Sequence, residues 1–285
     1  MIINRLCEYI GDTPILKLDN NFYAKLEYFN PSGSIKDRAA YNMIMDYKKK
    51  GLISSGWTII EPTSGNLGIS ISMIASNLGY KSIIIMPKSA SVERIKMIKL
   101  FGGKVILTSD MKTAIIIAKL LNKRINNSVI LIQFDNINNV FAHYNNTASE
   151  ILSDVKDIDY FIAGIGTGGT ITGIGLYLKE NTNCKVIGVL PNSIPHNIQG
   201  IGAGFKPSIL KEEIIDEVVT ITDEESILGF KKLNSLGIPV GISSGAIYIA
   251  AKRIHLANPN RVVLAIFPDS YDRYLSVLEE DYGKV

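Results

Sequence analysis

From Trp57 onward the chain alternates short, continuous apolar runs with longer stretches whose apolar residues recur at helical spacing. The runs "WTIIE" (57–61), "SIIIMP" (82–87), "KVILT" (104–108), "VILIQF" (129–134), "YFIAGI" (160–165), "KVIGVL" (185–190), "PVGIS" (239–243) and "VVLAIF" (262–267) are rich in Val and Ile and do not alternate apolar with polar. That pattern predicts strands buried on both faces, as in parallel sheets covered by helices. Between several of them lie helix patterns such as "NLGISISMIASNLG" and "ASVERIKMIKLFGG", the second closing on glycines suited to a C-terminal cap. This βαβ order predicts an α/β protein with mostly parallel sheets. Ligands are then expected where loops leave the carboxyl ends of the strands.

A chain of 285 residues has room for about two domains. The asparagine-rich stretch "FDNINNVF" (134–141), following a strand, is the candidate boundary. Charge adds little: 30 basic against 27 acidic side chains leave a net +3, and the lysines are scattered, so neither nucleic acid nor a membrane is expected as a partner. The run "KKK" (48–50) before Gly51 reads as a solvated helix end favoured by the dipole. Two cysteines, Cys7 and Cys184, make no disulfide framework and no Cys-x-x-Cys motif, which fits a reducing cytoplasm. His143, His196 and His255 lack ligand spacing, so no metal site is expected. The opening residues reach charge and turn signals too early for a signal peptide, and no apolar run approaches membrane-spanning length.

Candidate chemistry begins at "FNPSGSIKDRAA" (29–40), where Ser34 and Asp37 fit a helix start and place Lys36 in the first turn. A protonated lysine there opposes the positive end of the helix dipole, a penalty of about 0.3 to 1 kcal/mol at exposed sites. A neutral lysine escapes it.

Three strand-to-helix loops add to this. In "GIGTGGTITG" (164–173), Gly166, Gly168 and Gly169 allow close backbone approach, and Thr167 and Thr170 supply hydroxyls; such a loop can hold a phosphate at a helix start. It also matches Gly-x-Gly-x-x-Gly, yet the dinucleotide reading needs an acidic residue at the end of the next strand, where "GVLPNS" has none. In "EPTSGNLG" (61–68), Thr63, Ser64 and Asn66 can receive a carboxylate or simply cap a helix, and taken alone the cap is the simpler reading. "GISSGA" (241–246) repeats the theme. Three small polar loops plus one anomalous lysine point to a single crevice for a phosphate, a carboxylate and a group attached to an amine.

The motifs "KLEYFNPSGSIKDRAA", "EPTSGNLGI", "GIGTGGTITGIG", "IQGIGAGF", "DEVVTITDEE", "VGISSGA" and "PDSYDRYL" resemble, in order, the signatures of the cysteine synthase and cystathionine β-synthase family of pyridoxal-phosphate enzymes, fold type II. The resemblance implies two three-layer α/β/α domains of the tryptophan synthase β-like type. A smaller, mobile substrate-binding domain would span 30–136, and a larger cofactor-phosphate-binding domain would combine 1–29 with 137–285. It implies Lys36 as the Schiff-base lysine and catalytic base, the segment Gly166, Thr167, Gly168, Gly169 and Thr170 as the phosphate cradle, Asn66 at the ring hydroxyl and Ser243 at the pyridine nitrogen. Thr63, Ser64, Gly65, Asn66 and Gln133 would bind the substrate carboxylate, with Gly200 in a closing loop.

The implied activity is β-replacement through an aminoacrylate, with O-acetylserine and sulfide giving cysteine and acetate. A desulfhydrase or hydroxyl lyase, a cystathionine or lanthionine synthase, and a non-catalytic binding paralogue are the alternatives. A homodimer and a serine acetyltransferase partner are also implied. The chain departs from the pattern at Leu67, where the family has threonine, in the short segment 190–196, at "TASE" (147–150), and at Tyr271 and Asp272.

Overall fold

The computed structural model describes residues 2–277. Strands β1 (Ile15–Asp19) and β2 (Phe22–Leu26) form an antiparallel pair, after which α1 (Lys36–Lys49) begins. The chain then runs β3 (Thr58–Pro62), α2 (Asn66–Leu78), β4 (Lys81–Pro87), α3 (Val92–Leu100), β5 (Lys104–Thr108), α4 (Met111–Arg124) and β6 (Ser128–Ile130). Helix α5 (Ile137–Ala142) passes through a π-helical turn (His143–Thr147) into α6 (Ala148–Asp154). The remainder is β7 (Tyr160–Gly164), α7 (Gly169–Asn181), β8 (Lys185–Pro191), β9 (Glu217–Ile221), α8 (Asp223–Ser235), α9 (Ile242–Ala257) and β10 (Val263–Phe267).

The strands form two sheets. A four-stranded parallel sheet has the order β5-β4-β3-β6, and a six-stranded sheet the order β1-β2-β10-β7-β8-β9, parallel except for β1. The Val/Ile runs are buried on both faces, as their lack of alternation predicts: Ile59 and Ile84 pack beneath α1, α2 and α3, while their neighbours Ile60 and Ile85 meet Ala114 and Ala118 of α4. The larger sheet does the same, with Ile162, Ile187 and Val189 toward α8 and α9, and Phe161, Ala163 and Val186 toward α6 and α7.

Two of the expected strands differ. The run 239–243 is not a strand, because the Gly241 amide bonds the Asp269 carbonyl at 2.9 Å, Val240 makes only an isolated bridge to Ser270, and Ile242 already opens α9. The run 129–134 stops at Ile130, since Ile132 turns into the left-handed region (φ 54°) and its amide goes to a side chain. Strands β1, β2 and β9 lack a continuous apolar run: β1 is half-covered and β9 lies mostly exposed at a sheet edge.

Helix α1 starts at Lys36, but the Asp37 carboxylate does not cap Ser34. It reaches back to the Ser32 amide at 2.7 Å and the Ser32 hydroxyl, while Ser34 Oγ accepts weakly from the Lys36 amide at 3.4 Å. The next residue, Arg38, is fastened more firmly. Its guanidinium donates to both Glu27 oxygens at 2.7 and 2.9 Å and to both Glu150 oxygens at 2.6 and 2.7 Å. Buried Lys25 completes the cluster at 2.8 Å from Glu150, so two cations face two carboxylates. At the other end, Gly51 (φ 68°) takes the left-handed C-terminal position, and the Leu52 amide returns to the Tyr47 carbonyl at 2.9 Å.

Glu27→Ala leaves buried cationic charge uncompensated and is expected to lower stability by about 3 to 5 kcal/mol in urea unfolding. Burial works against the Glu150 carboxylate, but Arg38 and then Lys25 hold it down to about 2. Its ionisation therefore stabilises the fold above the unfolded value of 4.5, and this contribution disappears as pH falls toward 2. The stability difference between wild type and Glu150→Gln should shrink over that window.

Candidate active site

The carboxyl ends of β7 and β10, the first turn of α1 and the 200–201 segment meet around a crevice. Lys36, Gly166, Thr167, Gly168, Thr170 and Gly200 line it, with Ile35, Ile201, Ile247 and Ile266 among the apolar walls. The three glycines of the 166–169 loop have no room for side chains. A Cβ on Gly166 would overlap the Gly200 carbonyl, one on Gly169 would overlap Asn139, and Gly168 stands at φ 87° against Leu210. These glycines bring bare backbone to the N-terminus of α7, where the first amides have no partner within the helix. Amides and helix dipole together make an anion cradle.

Lys36 faces this cradle. Its turn is pinned from the other side, with the Ile35 amide on the Pro268 carbonyl at 2.8 Å and Ser34 bridged to Asp269. Desolvation lowers the Lys36 amine to about 8, while the Asp269 carboxylate pulls the other way. The lysine is therefore far easier to deprotonate than one in water, as its place in the helix suggested.

Asp269 joins three of the loops and was missed in the sequence. It is buried, and its Oδ2 accepts from Asn66 Nδ2 at 2.7 Å and from Tyr274 Oη at 2.6 Å; its own carbonyl receives the Gly241 amide. Its Oδ1, like Asn66 Oδ1, has no hydrogen-bond partner. The available signal was position, since Asp269 is the first polar residue beyond the carboxyl end of β10. His143, which has no metal-ligand spacing in the sequence, sits beside Thr170 of the cradle. It is buried with Nε2 3.3 Å from Thr170 Oγ1 and Nδ1 3.0 Å from Thr147 Oγ1. Burial, then the charges of Arg38 and Lys36, push its pKa well down, so the imidazole is neutral.

The remaining expected residues distribute unevenly. Ser243 is buried beside the Gly200 position, where an added Cβ would lie 3.8 Å from Ser243 Oγ. Gln133 is buried and tied to the cradle through Asn139, whose Nδ2 donates to the Gln133 carbonyl at 3.0 Å and to Thr167 Oγ1 at 3.1 Å. Thr63 accepts from the Gly65 amide at 3.2 Å, and Ser64 is exposed; neither lines the crevice described above. Leu67 packs into the apolar cluster with Ile84 and Ile98. Among the described residues no group of His, Cys, Asp or Glu could hold a metal ion, and no helix is long and apolar enough to cross a membrane.

Residues 6–269 match the family model described as "Pyridoxal-phosphate dependent enzyme". The chain belongs to this family. It is 46% identical over 289 residues to cysteine synthase B of Campylobacter jejuni, covering 95% of this chain and 97% of that protein. Among solved structures it is similar to O-ureido-L-serine synthase (TM-score 0.95, 36% identity, 100% of this chain and 97% of that one). It is also similar to the O-acetylserine dependent cystathionine beta-synthase from Helicobacter pylori (TM-score 0.92, 39% identity, 97% and 98%). Pyridoxal phosphate is the cofactor, and the residues present fit it: a bare-backbone glycine loop where side chains would collide with Gly200, Leu210 or Asn139, and a lysine lining the same crevice; Asn66, bonded to Asp269 near by, keeps a buried amide oxygen without a partner.

Two substitutions test this geometry. Gly168→Ala, which forces a Cβ against Leu210 at a positive φ, should weaken pyridoxal-phosphate binding at least tenfold by fluorescence titration. Asp269→Asn removes the charge that holds the Lys36 value up, so the pH midpoint for acetylation of Lys36 in cofactor-free protein, followed by peptide mass, should fall below the wild-type value near 8.

Proposed function

We propose that this protein is a cysteine synthase, taking O-acetylserine and sulfide to cysteine and acetate. The observation that carries the reading is the deprotonatable Lys36 opposite a glycine anion cradle, in a crevice whose nearby Ser243 is neutral and buried. Lys36 would attach the cofactor, Gly166–Thr170 would hold its phosphate, and Asn66 would meet its ring hydroxyl. Ser243 would face its ring nitrogen. Thr63, Ser64, Gly65, Asn66 and Gln133 would receive the substrate carboxylate, and Gly200 would belong to the closing segment. Bound pyridoxal phosphate supplies the electron sink that acidifies the α-hydrogen and lets a β-substituent leave.

The protein's own groups then account for the choice of reaction. The Lys36 amine, desolvated to about 8, can accept the α-proton at Nζ near neutral pH. A serine in place of an aspartate cannot hold a proton on the ring nitrogen by charge, which favours departure of a β-group over transamination. The names of the similar proteins are consistent with this class: cysteine, cystathionine and O-ureidoserine are all alanines substituted at the β-carbon. An O-acetylserine-dependent cystathionine synthase among them makes a larger thiol acceptor the second reading.

The four-stranded sheet and its helices, with the 30–136 boundaries expected from sequence, would be the mobile unit, and the six-stranded sheet the unit bearing the phosphate cradle. Contacts that such motion would break include Ser208 Oγ on the Phe134 carbonyl at 3.0 Å and the Phe134–Phe205 ring pair at 4.9 Å. A cytoplasmic homodimer, able to bind a serine acetyltransferase, completes the reading.

Product analysis with O-acetylserine, serine and cysteine, each with sulfide or homocysteine, tests it. Cysteine from O-acetylserine and sulfide should form fastest, and Lys36→Ala should lower that rate by about 10²–10⁴-fold or more. Faster formation of cystathionine, or of free sulfide from cysteine, would overturn the choice of substrate.

A further inference from the structure

Glu61 lies at the end of β3, completely buried, and points across to the loop that follows β6. Its two carboxylate oxygens accept from successive amides, Oε2 from Ile132 at 2.9 Å and Oε1 from Gln133 at 3.1 Å. A buried carboxylate is costly, and here burial raises its pKa to about 8 even though the Gln133, Ile132 and Leu131 amides pull it down. The loop it grips is strained. Ile132, β-branched and partly exposed, sits at φ 54°, a region such residues rarely enter. Two costly features joined by two hydrogen bonds call for a common purpose, and the residue they position is Gln133. From there Asn139 continues to Thr167 in the glycine cradle.

We propose that Glu61 is a positioning residue: by holding the Ile132 turn in its left-handed form it sets Gln133 against the substrate carboxylate and, through Asn139, keeps that site in register with the 166–170 loop. This rests on the reading above that Gln133 contacts the substrate. The loop has other fasteners, namely the Asp135 and Asn136 amides on the Ile132 carbonyl at 3.1 and 3.0 Å and Asn136 Nδ2 on the Leu131 carbonyl at 2.9 Å. They bind carbonyls, so only Glu61 secures the Ile132 and Gln133 amides among the bonds described.

Above pH 8, where Glu61 is ionised and both its oxygens accept, Glu61→Gln keeps the shape but turns an NH₂ toward one of two N–H donors, releasing that amide. The expected result is at least tenfold faster hydrogen exchange at Ile132 and Gln133 in cofactor-free protein, with KM for O-acetylserine raised about tenfold and kcat changed less than threefold. Adding Ile132→Gly should restore most of the KM, because glycine adopts the left-handed turn without strain; a merely structural role for Glu61 predicts no such rescue. Should Glu61→Gln not fold, Glu61→Asp, which withdraws the carboxylate by one methylene, carries the same expectations. Unchanged exchange, unchanged KM, or no recovery in the double variant would overturn the proposal. If wild type itself does not use O-acetylserine, the functional reading fails instead, while the exchange measurement still tests the grip on the loop.

Discussion

An amine held out of water at the positive end of a helix is the constraint around which this molecule is arranged. Desolvation and the dipole both disfavour a charged Lys36, and a position so unfavourable must be imposed by its neighbours. They do so on both sides. Asp37 ties the first turn of α1 to Ser32, and Arg38 ties it to the carboxylates of buried Glu27 and half-buried Glu150. Lys36, immediately before them in the same turn, lines the crevice.

The crevice is assembled at the carboxyl ends of β7 and β10, neighbours in the six-stranded sheet. Parallel strands put all their carboxyl ends on one side, so each following loop contributes to the same space. Two polar side chains then set how the loops meet. Asp269 draws in Asn66 from α2, Tyr274 from the C-terminal segment and the backbone of Gly241, while Asn139 spans Gln133 and Thr167. Close glycine packing makes these junctions tight, as at Gly166 against Gly200 and Gly169 against Asn139.

The readable parts of the chain were those with a strong local cause. Continuous Val/Ile runs gave seven of eight expected strands their positions, because burial on both faces needs such residues wherever the strand lies in the sheet. Gly-rich turns and Lys36 were legible for the same reason: a positive φ or a cation at a helix start has few explanations. The eighth run, 239–243, looked equally apolar but its amides are taken by Asp269 and by the start of α9. Gln133 was expected at the site by resemblance, yet nothing local marks Glu61 as the group that holds its backbone 72 positions away.

Sequence alone therefore determined the α/β class, the phosphate-type loop, the anomalous lysine and, by resemblance, the cofactor family. Tertiary structure decided which polar side chains serve as partners: Asp269 for Asn66, Glu61 for the 131–133 loop, Asn139 for Thr167, and Glu27 with Glu150 for Arg38. The reason is physical. Hydrophobic period and backbone freedom are properties of neighbouring residues, whereas a buried polar group is tolerable only through a partner that folding brings from elsewhere.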